Sequence, residues 1–283
     1  MATLFVNNLT VIDFSLLDAE RGMLGESWIV DVELSGELDA AGMVFDFGVV
    51  KKKVKDILDD CLDHKLAVPT QSGALEALTT SPNVALAWRY NGGLISMAAP
   101  ACSIAAMPTT AIDIASATLW LEAQVLPLMP SNVTGVKLYL RTEEMAATPF
   151  YHYSHGLKKH AGNCQRIAHG HRSRIEIYMD GQRAPQWEAE WANRWRDIYI
   201  GSTEDLHHTE EQQGVAYYTF AYTANQGSFS LTLPAAHCYL IDTDSTVEFL
   251  AAHIATTLAQ EAPGPRYDVR AYEGVGKGAM ARS

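Results

Sequence analysis

The sequence predicts an α+β fold built twice in tandem, each unit an antiparallel β-sheet with two helices on one face. Three observations predict it. Long stretches alternate apolar and polar residues with period two, and between them a few segments carry apolar residues at helical spacing. The order strand, strand, helix, hairpin, helix, strand runs over residues 1–146 and again over 147–283. Residues also recur between the two runs: Gly25 matches Gly170, Gly36 matches Gly181, Cys102 matches Cys238, and Thr109-Thr110 matches Ser245-Thr246.

In the first run, residues 3–16 are rich in β-branched and apolar side chains and residues 27–36 alternate, which predicts two antiparallel strands. The segment Gly42-Met43-Val44-Phe45-Asp46-Phe47-Gly48 leads into a helix. That helix places Val50, Val54, Ile57, Leu58 and Cys61 on one face and Lys51, Lys52 and Lys53 on a wet face, then ends in Leu62-Asp63-His64-Lys65. Residues 83–100 form a hairpin around Asn91-Gly92-Gly93, since Asn-Gly tolerates the positive φ of a tight turn. Pro108-Thr109-Thr110 opens a second helix to about Val125, and residues 135–140 close the sheet.

The second run begins with strands at 150–155 and 172–180. A helix carries Trp187, Trp191 and Trp195 at i, i+4, i+8, a core stripe. A hairpin spans about 216–234, and a helix from Asp244 buries Val247, Leu250, Ala251, Ile254 and Leu258. Residues 269–273 are the last strand, and 274–283 are expected to fray.

The bulk numbers exclude several classes. A chain of 283 residues, 48% hydrophobic and 19% charged, has ample core for two ordinary units. Its net charge of -12 argues against general nucleic-acid binding, which needs clustered cations. No apolar run reaches bilayer length, and the N-terminus lacks the basic start and apolar core of a signal peptide. Cys61, Cys102, Cys164 and Cys238 show no CxxC spacing, so free thiols in the cytoplasm are expected.

The candidate chemistry lies in Ser154-His155-Gly156-Leu157 and Cys164-Gln165-Arg166-Ile167-Ala168-His169-Gly170-His171. On an extended strand, His169 and His171 point to one face. With His155 from an adjacent strand they make a three-nitrogen set with one position open, the arrangement of catalytic zinc. Between Glu144 and Glu176 there is no acid, but there are Lys158, Lys159, Arg166, Arg172 and Arg174: a positive island suited to an anionic ligand.

These motifs together resemble the family of 6-pyruvoyltetrahydropterin synthase and 6-carboxytetrahydropterin synthase, of the tunnelling (T-fold) class. The matching features are the His-containing strand, a Cys five residues before His169-Gly170-His171, the Gly42–Gly48 segment before a helix, Leu62-Asp63-His64-Lys65 after it, and Glu273 near the C-terminus. They are split between the two runs, so the resemblance implies two fused family units. Residues 1–146 would be a degenerate unit, with Leu24 and Glu26 where His169 and His171 stand, and Leu140 where Glu273 stands. It would supply Asp63-His64, for which the second unit has Leu206-His207-His208-Thr209. Residues 147–283 would be the zinc unit.

The resemblance also implies a chemistry: Zn2+ on His155, His169 and His171, and 7,8-dihydroneopterin triphosphate as substrate, with loss of triphosphate. Cys164 would be the general base, a role that thiols fill when nearby cations favour the thiolate. Asp63 and His64 would orient it and relay protons, Glu273 would accept hydrogen bonds from the pterin, and Lys158, Lys159, Arg166 and Arg172 would hold the triphosphate. 6-Carboxytetrahydropterin synthase, of queuosine or deazapurine synthesis, is the first reading. 6-Pyruvoyltetrahydropterin synthase is the second, and a non-catalytic pterin- or purine-binding protein is the third. Sheets of several units would close into a barrel, as a homotrimer by preference or a dimer otherwise. The bland alternatives are a capping role for Asp63-His64-Lys65, a solvated Glu273, structural or solvent-facing His152 and His160, with His160 near enough to be a backup ligand, and core positions for Cys61, Cys102 and Cys238.

Overall fold

The computed structural model describes residues 1–283. The first half comprises β1 (Ala2–Asp18), β2 (Gly22–Gly36), α1 (Phe47–Cys61), β3 (Leu66–Pro69), β4 (Leu75–Thr79), β5 (Asn83–Tyr90), β6 (Gly93–Pro100), β7 (Ile104–Met107), α2 (Ile114–Val125) and β8 (Val133–Arg141). The second comprises β9 (Phe150–His155), β10 (His169–Met179), β11 (Gln182–Arg183), α3 (Pro185–Arg194), β12 (Ile198–Ser202), β13 (Leu206–Gln212), β14 (Val215–Ala224), β15 (Gly227–Pro234), β16 (Cys238–Ile241), α4 (Val247–Glu261), β17 (Tyr267–Tyr272) and β18 (Gly278–Arg282). The result is a mixed α+β fold.

Each half has its own sheet, ordered β7-β3-β1-β2-β8 in the first and β16-β12-β9-β10-β17-β18 in the second. The apolar stripe of α1 (Val50, Val54, Ile57, Leu58) and that of α2 (Ala117, Leu121, Val125) pack with β1, β2 and β8 into one core. Trp191 and Trp195 join Leu250, Ile254 and Leu258 of α4 over β9, β10 and β17 in a second core. Caps fix the helix starts. Asp46 accepts from the Gly48 and Val49 N–H groups, Asp113 and Ser116 form a reciprocal capping box, and Thr246 accepts from the Phe249 N–H. The cap at Asp113 corrects the expected start of α2: Pro108-Thr109-Thr110 precede it as turn.

The halves are joined by a third sheet, β13-β14-β15-β6-β5-β4, built from a hairpin pair of each. At its centre β15 meets β6 antiparallel, Leu231 opposite Met97. They also touch across β1, β2, β9 and β10. The Ser15 and Ser154 hydroxyls are 2.7 Å apart, and a Cβ on Gly25 would lie 1.8 Å from the Tyr153 carbonyl oxygen.

Ladder register resets several of the matches read from sequence. Ser15 faces Gly25 and Ser154 faces Gly170, so that pairing of the two hairpins stands. From Ser15 the parallel ladder runs to Leu66 and on to Ile104; from Ser154 it runs to Tyr199 and on to Cys238. Cys238 is therefore the counterpart of Ile104, and Cys102 falls in the short turn before it. Thr246 caps α4 where Asp113 caps α2, so Thr109-Thr110 are not its counterpart. Two residues before Leu66 and Tyr199 stand His64 and Asp197, both left-handed at φ 54 and 56. The counterpart of Asp63-His64 is thus Arg196-Asp197, and Leu206–Thr209 lies in β13. Leu140 pairs with Val30 and Ala271 with Ile175, which puts Thr142, not Leu140, at the place of Glu273. Insertions and deletions between strands shifted the sequence matches. Nor does the C-terminus fray: β18 pairs with β17 from Tyr272–Gly278 to Asp268–Arg282.

No helix is long and apolar enough to cross a membrane. Within one chain the two flanking sheets keep free edges, at β7 and β8 and at β16 and β18, so a closed barrel is not formed by one chain.

Candidate active site

The β9–β10 pair sets the histidines. His155 stands opposite His169, and His171 follows two residues on, on the same face. All three are buried. The Nε2 atoms of His155 and His171 are 3.2 Å apart, and the three rings bring ligand atoms within 4.8 Å of one another. Each Nδ1 faces an acceptor outside the cluster. His155 Nδ1 is 3.1 Å from the Ser245 carbonyl oxygen and 3.0 Å from its hydroxyl, and His169 Nδ1 is 2.9 Å from the Arg166 carbonyl oxygen. His171 Nδ1 lies 3.2 Å from Asp13 Oδ1, off the line of an ideal hydrogen bond.

With each Nδ1 as donor, the Nε2 lone pairs turn inward. Burial and the neighbouring imidazoles push His155 and His169 well below the ordinary histidine pKa, so both are neutral. The converging imidazole nitrogens suit a divalent cation with a zinc-like preference for nitrogen. A cation there would also relieve the 3.2 Å approach of two acceptor nitrogens.

The other half delivers Asp63 and His64. Left-handed backbone at a non-glycine residue costs about 1–2 kcal/mol. Here Asp13 holds it. The His64 N–H donates to the Asp13 carbonyl at 2.7 Å, and the Asp13 N–H donates to the Asp63 carboxylate at 2.8 Å. His64 Nδ1 bonds the other oxygen of Asp63. The turn thereby aims the imidazole into the second half, its centroid 5.1 Å from that of His169. His64, Cys164 and His169 bring ligand atoms within 4.8 Å of one another. Burial opposes charge on His64, but hydrogen bonding to Asp63 and Cys164 outweighs it and raises the pKa to about 10. His169 is thus common to two groups of possible ligands, His155-His169-His171 and His64-Cys164-His169, and only the first is buried throughout. Cys164 is half-buried in the short turn Asn163–Gln165, with its carbonyl accepting from the Leu157 N–H at 2.9 Å.

Glu273 sits in the β17–β18 turn, Oε1 4.0 Å from His171 Nε2. Six of the expected residues (Cys164, Asp63, His64, His155, His169 and His171) are thus in one place with Glu273 at the rim. The cations are not. Lys158 pairs with Glu204 and Asp205, and Lys159 with Glu204 and Asp244. Arg166 is buried and donates to the Asp63 carbonyl at 3.2 Å. Arg172 lies over the Phe150 ring, 3.9 Å from its centroid, and donates to the Glu143 carbonyl at 2.9 Å. Acids distant in sequence neutralise the two lysines, which corrects the positive island. His160 turns to the Gly162 N–H and joins neither cluster, while His152 bonds the Gly25 carbonyl region as a structural residue.

Sequence reasoning missed Asp13, Ser245 and Lys277, whose Nζ is 3.1 Å from Asp13 Oδ2. Only Asp13 left a signal, as one acid amid the apolar run Val11-Ile12-Asp13-Phe14.

A family model described as 6-pyruvoyl tetrahydropterin synthase matches residues 18–91 and 144–283. Among solved structures the chain is similar to the 6-pyruvoyl tetrahydropterin synthase of Plasmodium vivax, at 20% identity and TM-score 0.37, over 50% of this chain and 97% of that one. It is similar also to the Plasmodium falciparum enzyme, at 18% identity and TM-score 0.36, with the same coverage. No curated protein matches the chain.

Proposed function

We propose that this chain, which belongs to the 6-pyruvoyl tetrahydropterin synthase family, is a zinc-dependent lyase that removes triphosphate from 7,8-dihydroneopterin triphosphate. The observation that supports it is the meeting of Asp63, His64 and Cys164 with the three-histidine set inside one chain. The chain reads as two fused units, 1–146 and 147–283, that each keep the part of the site the other lacks.

His155, His169 and His171 would hold the metal, which supplies Lewis acidity toward the vicinal hydroxyls of the substrate side chain. The protein's residues do the rest. Cys164 takes a proton from the side chain. Cationic His64, adjacent to Cys164 and held by Asp63, carries a proton to the developing charge. Glu273, at the mouth, accepts hydrogen bonds from the pterin ring N–H and amino groups. Because Lys158 and Lys159 are paired with acids, they hold triphosphate only by giving up Glu204, Asp205 and Asp244.

6-Carboxytetrahydropterin is the first product to seek and 6-pyruvoyltetrahydropterin the second. Incubation with dihydroneopterin triphosphate and mass spectrometry of the products separates them. Zinc binding without triphosphate release would overturn the enzyme reading in favour of a pterin-binding protein. The free edges at β8 and β18 fit a homo-oligomer, a trimer by preference, in a cytoplasmic setting.

A further inference from the structure

The degenerate half contributes one more group to the centre than the proton relay. Asp13 is 3% exposed and lies at mid-strand in β1, where an unpaired carboxylate would be costly. Every polar atom it has is used. Its N–H and carbonyl grip Asp63 and His64, at 2.8 and 2.7 Å. Oδ1 accepts from the Ser27 hydroxyl at 2.5 Å and lies 3.2 Å from His171 Nδ1. Oδ2 meets Lys277 Nζ at 3.1 Å. His171 Nδ1 is itself buried and makes no well-aligned hydrogen bond, with Asp13 Oδ1 the carboxylate oxygen beside it. His155 and His169 rest on carbonyls of their own half, but His171 rests on a carboxylate from the opposite one.

We propose that Asp13 is a positioning residue. Its carboxylate fixes His171 as the Nδ1–H tautomer with Nε2 turned to the metal, while its backbone fixes His64, so that one residue of the first half registers the ligand set of the second against the proton relay. This rests on the metal reading above. An outer-shell carboxylate on a ligand histidine sets ring orientation and raises basicity, and its loss typically costs about 10–100-fold in metal affinity. Because Asp13→Asn keeps size and one acceptor oxygen, the lower end is expected for it, and the upper end for Asp13→Ala.

The test is Zn2+ affinity by competition with a chromophoric chelator, read beside the thermal unfolding of the metal-free proteins. Wild type is expected to bind about one Zn2+ per chain, and Asp13→Asn to bind it about 10-fold more weakly while the metal-free variant still unfolds cooperatively, at a midpoint lowered by the lost Lys277 pair. Equal affinities in folded proteins would overturn the proposal and leave the metal reading standing. A wild type that binds no Zn2+ would overturn both. Should Asp13→Asn fail to fold, long-range proton–nitrogen correlation spectra of histidine-labelled, Zn2+-loaded wild type decide it. His171 as an Nδ1–H tautomer with a hydrogen-bonded proton supports the proposal, and His171 coordinated through Nδ1 sinks it.

Discussion

The two halves present the same strand positions with opposite chemistry. Where β9 and β10 carry His155, His169 and His171, β1 and β2 carry Leu16, Leu24 and Glu26. Both leucines are buried in apolar core, and Glu26 is spent on the Trp28 indole at 2.6 Å and on His152. The turn after the first helix differs in the other direction. Asp63-His64 points into the histidine cluster, whereas its counterpart Arg196-Asp197 crosses to the first half, where Asp197 forms a salt bridge with Arg21. Each half thus reaches into the other by the same left-handed turn, but only one crossing ends in reactive groups. A shared scaffold fixes where side chains go and leaves their chemistry free to diverge.

The sharpest break would come at the mirrored ligand positions. His169→Ala is expected to abolish turnover and to weaken Zn2+ binding by on the order of 100-fold or more. Leu24→Ala should leave metal content unchanged and cost about 2–5 kcal/mol of stability through the cavity it opens. Metal loss in the leucine variant would erase the distinction. At the mirrored turns, His64→Ala is expected to lower turnover by roughly 10²–10⁴-fold with zinc retained. Asp197→Ala should leave turnover nearly intact, so steady-state rates with metal analysis give the answer, and a fully active His64→Ala would end the composite-site reading.

Stability probes the seam between the halves. Gly25→Ala drives a Cβ into the Tyr153 carbonyl, so the strands must part, at about 1–3 kcal/mol or more by chemical denaturation. The His64 turn gives a pH signature in metal-stripped protein. Its folded pKa of about 10 lies above the unfolded value near 6.5, so its contribution is full below pH ~6.5 and is lost as pH rises toward 10. Unfolding midpoints should fall over that window in wild type and flatten in His64→Gln; matching slopes would exclude this linkage. The smallest effect is Ser15→Ala, which removes the 2.7 Å bond to Ser154 and should cost about 1–3 kcal/mol.

Much of this was legible in the chain. β-Branched content located β1, alternation located β2 and Asn91-Gly92-Gly93 located the β5–β6 hairpin, while 150–155 proved to be β9 and 216–234 the β14–β15 hairpin. His169-Gly170-His171 was readable as a one-face pair because a strand alternates, and His155 as the neighbour completing it. Asp63-His64 could be assigned only through family resemblance, since nothing in Leu-Asp-His-Lys tells a cap from a proton relay. Long-range partnership was beyond reach. Asp13 is an acid in an apolar strand, and nothing in the sequence says that it faces His171. The lysines looked free because Glu204, Asp205 and Asp244 arrive from other elements. The β18 hairpin was missed because Gly-Ala-Met-Ala-Arg carries little β propensity and is held by its ladder to β17.

The central pairing of β15 with β6 has a consequence for concentration. In an assembly of separate chains, a site shared across subunits falls apart on dilution. Here one continuous chain links the donor of His64 to the donor of Cys164, and the hydrogen-bonded seam around Leu231 and Met97 holds the two halves together. Their encounter is intramolecular, so its effective concentration is set by the fold. However few copies a cell holds, this thiol always has this imidazole beside it.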